Sequence, residues 1–521
     1  MHKYALRSRC LMLLPLALIS CPAPASEMAY GSDSAVSKSH VAKSLDGEWG
    51  TIVTGRLQNG VRFAILPRRN HESGVGILVR IEGGFIAERR PGERGLAHLI
   101  EHIAFESPTK AAPSDLNHFR RIGMSLTLPA PSAGSTSWRE TNYFLSTKSA
   151  RTADLDKLLA LFRETVSDLT FRSDAVDDQR VDVMREMATR KLGNDIYARY
   201  VAAVAPGSPT DLIDAQNSDD VPTASIETIR GLYHRLYRPE NTMIVVVGNV
   251  NPVQIAALIR RRFGGWKAVG PAPVPAPIPE FQVDRIAPIS YSDFQQGRRI
   301  ALMTVAMPMR SPPPTRKRQA EATLMDMVET RAVSNRMASA QPDSPIGKIG
   351  IHIENGEQGD RRLLMWDNFG EAPWRPAIAG LNKLTCDLDT TGLSDREWST
   401  AKADVIEDLE ERTKDMVDTP NVELAKDLSH AFAAGQELIP PEALLHYARS
   451  WLPTVNAQTG NRWWRQQWNA GVQHIRVESP ELAQIEDPIS AIRKAADGAV
   501  EDVSCKVPLG AAAEKMRPNG I

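Results

Sequence analysis

The sequence predicts an α+β protein in two lobes of similar build, and three observations carry that prediction. Short β-rich segments alternate with amphipathic helical ones along most of the 521 residues. A Pro-rich run divides the chain near its middle, and the elements after it repeat the order of those before it. The length suffices for two separate cores. Apolar residues make up 42% and charged residues 24% of the chain, an ordinary balance for a globular protein. The formal net charge is -1. With no long basic block beside it, that charge argues against nucleic-acid binding. Arg260-Arg261-Arg262 and Arg316-Lys317-Arg318 read as solvated faces.

Residues 1–20 read as a signal peptide. His2, Lys3, Arg7 and Arg9 form a basic region, and Leu11 to Ile19 an apolar stretch too short to span a bilayer. Two exits follow. Leu18-Ile19-Ser20-Cys21 resembles a bacterial lipobox, whose cysteine becomes the lipidated first residue, while Ala23-Pro24-Ala25 fits ordinary signal cleavage. The lipobox is favoured because Cys21 directly follows the apolar stretch. Either exit implies export to a bacterial periplasm, with a lipid anchor if Cys21 is used. The four cysteines (Cys10, Cys21, Cys386 and Cys505) form no C-x-x-C pair, which argues against a cysteine-based zinc site. Export permits a Cys386–Cys505 disulfide, but spacing alone does not bring the two together. Residues 21–45 are rich in Ser, Ala and Pro and read as a flexible linker.

The first lobe spans residues 46–269. Thr51 to Leu57, Val61 to Leu66 and Val75 to Ile81 read as strands, with Asn59-Gly60 as a hairpin turn. A helix follows from about Glu93 to Phe105, a second from Ser114 to Arg121, and a strand over Thr141 to Thr147. Ala153 to Leu169 carries a helical apolar stripe. Ser173 to about Lys191 is a strongly charged helix that suits a polar site or solvent. Thr242 to Val247 is a continuous apolar strand, followed by a helix over Pro252 to Phe263. Residues 270–282 form a Pro-rich linker.

The second lobe, 283–505, repeats this order. A strand at Ile300 to Met307 precedes a helix over 315–339 and strands near Ile349 to Ile353 and Arg362 to Trp366. Long helices follow from Trp374 to about Trp468, then a strand at His474 to Val477. Residues 506–521 form a tail. The histidines of this lobe (His352, His430, His446 and His474) are scattered and read as structural or surface residues.

The chemistry concentrates in Gly95 to Phe105, which contains His98-Leu99-Ile100-Glu101-His102. Positions i, i+3 and i+4 of a helix share one face, so His98, Glu101 and His102 point the same way. Two imidazoles at that spacing can hold one Zn²⁺ and leave coordination positions open. The glutamate can take a proton from water. Burying all three without a metal or full hydrogen bonding would be costly. H-x-x-E-H is the inverzincin pattern.

On its strands, this motif resembles the insulinase–pitrilysin family of zinc metallopeptidases, which includes the mitochondrial processing peptidases. The matching stretches are Leu57 to Val61, Gly83 to Glu88, Gly95 to Phe105, Thr136 to Tyr143 and Tyr237 to Gly248. Asn335-Arg336-Met337 gives a weaker match in the second lobe. The resemblance implies lobes that are each a mostly antiparallel sheet packed with helices. It also implies a third zinc ligand, a glutamate roughly 75 to 85 positions after the second histidine. Glu186 lies 186 − 102 = 84 positions after His102 and fits. A zinc ion on His98, His102 and Glu186 (one per chain) and Glu101 as general base then follow. So does a substrate strand added to the sheet edge at Ser135, Thr136 and Ser137. Arg336 matches an arginine that helps hold the substrate carbonyl. No convincing tyrosine matches that arginine's usual companion.

Two further departures stand out. Gln179 replaces a glutamate that usually supports the ligands from two turns away, and Ala133-Gly134-Ser135 replaces an asparagine-alanine start of the edge strand. The implied activity is an exported zinc endopeptidase acting on unfolded peptides. Two lobes make half of the family's chamber, so a homodimer or a heterodimer with a related chain is implied. The alternatives are a non-catalytic or weakly active partner subunit, a class the family contains, and an exported binder of metal or peptide without hydrolysis.

Overall fold

The computed structural model describes residues 37–38, 50–68, 74–112, 134–137, 139–190, 218–274, 289–293, 299–308, 315–340, 348–355, 360–469, 472–506 and 514–515. The signal segment, Cys21, the expected helix over 114–121 and most of the Pro-rich linker lie outside them. Among the described residues, no helix is long and apolar enough to cross a membrane.

The first lobe contains β1 (Ser37–Lys38), β2 (Val53–Arg56), β3 (Arg62–Pro67), β4 (Val75–Glu82), α1 (Leu96–Glu106), β5 (Gly134–Thr136) and β6 (Glu140–Thr147). It continues with α2 (Thr152–Ser167), α3 (Ser173–Arg190), α4 (Ile226–Leu236), β7 (Thr242–Gly248) and α5 (Pro252–Phe263). Its seven strands run in the order β1-β2-β3-β7-β4-β6-β5. All pairs are antiparallel except β3 with β7. Ser37–Lys38, inside the segment read as a linker, supplies the first strand. Ser225 caps α4, and Asn251 caps α5 with Pro252 in its first turn.

The apolar continuity of β7 has a tertiary cause. One face of the sheet, through Ile77, Val79, Ile81, Ile244 and Val246, packs on α1 to α5. The other, through Leu78, Met243, Val245 and Val247, packs on Val422, Leu424, Ala425 and Leu428. A strand buried on both faces has no polar side to present. Residues 421–433, read from sequence as part of the second lobe, therefore cover the first lobe's sheet. Gly76 permits the approach, because a Cβ there would sit 2.5 Å from the Asn421 carbonyl carbon. Arg68 fixes it by donating to the Thr419 carbonyl at 2.6 Å and to Asn421 Oδ1 at 3.0 Å.

The second lobe contains β8 (Ile289–Ser292), β9 (Ile300–Pro308), α6 (Arg316–Ala340), β10 (Ile349–Asn355), β11 (Asp360–Asp367), α7 (Trp374–Thr390) and α8 (Asp395–Asp415). Then come α9 (Asn421–Ala433), α10 (Pro441–Trp451), α11 (Ala457–Trp468), β12 (Val472–Glu478), α12 (Pro488–Asp497) and β13 (Glu514–Lys515). Sequence patterning missed β8 and β13, which are only four and two residues long. The strand order is β10-β11-β9-β12-β8-β13.

Reversing the first sheet gives β5-β6-β4-β7-β3, which matches β10-β11-β9-β12-β8 place for place. The directions match too, including the parallel β3·β7 and β8·β12 pairs. The sixth place is filled from opposite ends of the chain, by β2 in one lobe and β13 in the other. By this correspondence α6 stands where α1 stands and α8 where α3 stands. Cys386 on α7 is disulfide-bonded to Cys505, with Cα atoms 5.4 Å apart and a sequence separation of 119. That bond ties the C-terminal segment to the lobe's core.

Candidate metal centre

α1 begins at Leu96 rather than Glu93. Gly95 has φ of 84° and is the N-cap, a left-handed conformation that favours glycine. A Cβ there would also lie 2.8 Å from Ser218 Cα. Glu88 supplies the missing cap. Its carboxylate accepts from Gly95 N at 2.8 Å and Ala97 N at 2.7 Å, satisfying donors that a helix start leaves open. Burial pushes this carboxyl up to about 8, against the pull of those two N–H groups. Sequence reasoning missed this role, although an acidic residue just ahead of a helix was the available signal. Leu96, Leu99, Ile100 and Ile103 are fully buried and lock the rotation of α1. His98, Glu101 and His102 are thereby left on the face toward β5 and α3.

α3 is charged but not free-standing. Val176, Val183 and Met187 join the first core, and Arg180 donates to the carbonyls of Val221 and Ala224. This packing presents Glu186 to α1. His102 Nε2 lies 3.2 Å from both His98 Nε2 and Glu186 Oε2, and His98 Nε2 lies 3.6 Å from Glu186 Oε2. Among the described residues, these three are the group of His, Cys, Asp and Glu able to hold a metal ion. A tetrahedral zinc site with bonds of about 2.0–2.1 Å has ligand–ligand edges of about 3.3–3.4 Å, so the residues fit the metal.

Burial and then the neighbouring His98 hold the His102 imidazole below its usual value, against the opposing pull of Glu186 and Gln179. A neutral imidazole is the form that ligates. Gln179, about two turns before Glu186 on α3, hydrogen-bonds His102 with its side chain. It can therefore orient that ring although it carries no charge.

Glu101 is 7% exposed. Thr136 Oγ1 donates to Glu101 Oε2 at 2.7 Å. Of the three residues expected to meet a substrate, Ser135 is exposed at the sheet edge, and Asn142 Nδ2 donates to its hydroxyl at 3.4 Å. Thr136 turns inward to Glu101. Ser137 builds the β5–β6 turn, its Oγ accepting from Arg139 N at 3.1 Å and Glu140 N at 3.2 Å. β5 ends the strand order, so its outer edge carries no partner strand among the described residues.

Arg336 is placed differently from the sequence expectation. Its guanidinium grips Glu397 at 2.6 and 2.7 Å and donates to the Gly392 carbonyl at 3.1 Å. A bidentate carboxylate pair satisfies the guanidinium fork. Together with Arg331–Asp408 and Asn335–Asp404, it joins α6 to α8. In the second lobe this polar ladder occupies the helix pair whose first-lobe counterpart carries His98, His102 and Glu186. His474, one of the scattered histidines, is buried against Ser290 Oγ at 2.9 Å, and burial pushes its imidazole down to about 3.

Residues 64–196 match the family model for insulinase (peptidase family M16), and residues 223–330 match that of the peptidase M16 inactive domain. The zinc protease PqqE of Helicobacter pylori is 27% identical over 225 residues, which are 42% of this chain and 48% of that protein. The probable zinc protease PqqL of Escherichia coli is 28% identical over 217 residues, 40% of this chain and 22% of that one. These alignments span less than half the length of either relative. Among solved structures, the periplasmic protease PqqL from Escherichia coli superposes with a TM-score of 0.71 at 18% identity, covering 92% of this chain and 52% of that one. A protease from Helicobacter pylori gives 0.63 at 16% identity, covering 82% and 99%.

Proposed function

Since the chain belongs to the insulinase family, peptidase family M16, we propose that it is a zinc endopeptidase hydrolysing extended, unfolded peptides. The observation that carries the reading is the convergence of His98, His102 and Glu186 at zinc-ligand spacing, with Glu101 on the same helix face. His98, His102 and Glu186 would hold the metal, which when bound would polarise a scissile carbonyl and acidify water. Glu101 accepts the water proton and delivers it to the leaving amine nitrogen. The outer edge of β5, which has no partner strand among the described residues, takes the peptide as an added strand, using backbone groups that read no side chain. Gln179 holds His102 in its ligating orientation.

The reading includes export. The Cys386–Cys505 disulfide supports an oxidising compartment, and the basic-then-apolar leader with Cys21 behind it supports a periplasmic chain with a lipid anchor. It also includes a second chain, a copy or a related subunit, facing this one across the substrate.

The test is cleavage of a quenched fluorescent peptide library by the purified mature chain, after chelation and after zinc is restored, beside Glu101→Gln. Zinc-dependent cleavage lost in Glu101→Gln, with zinc and peptide still bound, supports the reading. A second reading, a non-catalytic partner subunit, draws on the neutral Gln179 and on the engagement of Arg336 by Glu397. It gains if the chain binds zinc yet cleaves no peptide.

A further inference from the structure

We propose that Thr136 is a positioning residue for Glu101, so that the strand on which a peptide docks also aims the base; the inference rests on the peptidase reading above. The side chains of β5 alternate. Ser135 pairs opposite Asn142 on one face, while Gly134 and Thr136 pair opposite Tyr143 and Thr141 on the other. That second face meets α1. A Cβ at Gly134 would lie 2.5 Å from Glu101 Oε1 and 2.8 Å from Phe105 Cε2. The missing side chain therefore lets the strand backbone sit against the carboxylate.

One position on, the Thr136 hydroxyl donates its single proton to Glu101 Oε2 at 2.7 Å. A carboxylate at the end of a long side chain has a broad terminal torsion. A short charge-assisted bond from the strand restricts that freedom. The bond engages Oε2.

β5 is three residues long and held on one side by β6, so it is among the less anchored strands of its sheet. A peptide pairing along its outer edge adds hydrogen bonds on the other side and steadies the threonine that steadies the base. Binding energy gained remote from the scissile bond is thereby spent on orientation. Because pairing uses backbone atoms, the loss of the hydroxyl falls on turnover rather than on peptide affinity.

The experiment compares the zinc-loaded full chain with Thr136→Val, which keeps the β-branched shape and removes the donor, and with Thr136→Ser, which restores it. The expected result is a kcat lowered about 10- to 100-fold in Thr136→Val, KM and zinc content within about 2-fold of the parent, and recovery in Thr136→Ser. A crystal structure of zinc-loaded Thr136→Val should show the Glu101 carboxylate turned from its parent position. A valine variant with parental kcat, a change in KM alone, a serine that fails to rescue, or an unmoved carboxylate each overturns the inference. If the parent chain itself cleaves nothing with zinc bound, the peptidase reading has failed and this inference falls with it.

Discussion

Replacing Glu186 with alanine tests the centre more directly than any other single change. The carboxylate is one of three groups whose ligand atoms lie 3.2 to 3.6 Å apart, and its side chain is 31% exposed. Removing it from the metal-free chain should therefore shift stability by less than about 1 kcal/mol. The effect on zinc is of another order. Four-ligand structural sites gain about 10–16 kcal/mol from zinc, or about 3–4 kcal/mol per ligand. Losing one ligand of three should weaken zinc binding about 10²- to 10³-fold. At zinc concentrations that saturate the parent, the variant should forfeit about 3–4 kcal/mol of zinc-linked stability, about 6–15 °C in Tm. Competition with a chromogenic chelator gives the first number, and calorimetric scans with and without zinc give the second. A variant that keeps both the parental zinc Kd and the parental zinc-induced shift would remove Glu186 from the ligand set.

Other outcomes follow from the same geometry. Glu101→Gln should abolish cleavage while equilibrium dialysis still finds one zinc per chain and unchanged peptide affinity, since the amide keeps the shape but cannot accept the proton. Replacing Cys386 and Cys505 by serine opens a loop of 119 residues, which the chain-entropy treatment values at about 4–5 kcal/mol; urea midpoints of the two forms measure it. The Arg336 guanidinium beside Glu397 holds that carboxyl at about 2, well below the usual carboxylate range. The pair's contribution is thus complete above about pH 4.5 and lost as pH falls toward 2. After allowance for solvent screening of this half-buried pair, Arg336→Ala should cost about 1 kcal/mol at pH 7 and less at pH 3, read from urea unfolding at both values. An equal cost at the two pH values would show that the ion pair is not its source.

Much of the centre was legible because helical geometry is local. His98, Glu101 and His102 lie within five residues, so period 3.6 alone put them on one face. Leu99, Ile100 and Ile103 showed which way the helix turns. The strand cores were equally plain, as was the helix over Pro252 to Phe263, punctuated by Asn251 and Pro252. Glu186 was found by family pattern rather than by physics, since 84 residues separate it from His102 and an isolated carboxylate on a charged helix carries no local signal.

What the sequence determined by itself was the element order, its repetition across the Pro-rich divide, and a helix face suited to zinc. Tertiary structure decided what that face meets. The Thr136–Glu101 bond depends on the register of β5 with β6, and a one-residue slip would turn Thr136 to the opposite face. The packing of Leu424 and Leu428 on the first lobe's sheet joins segments more than 170 residues apart. Arg336 showed a motif-like match in sequence but found Glu397 in space. Pairings over such distances are fixed by the burial of whole surfaces, and that information lies in no window of the chain short enough to read as a pattern.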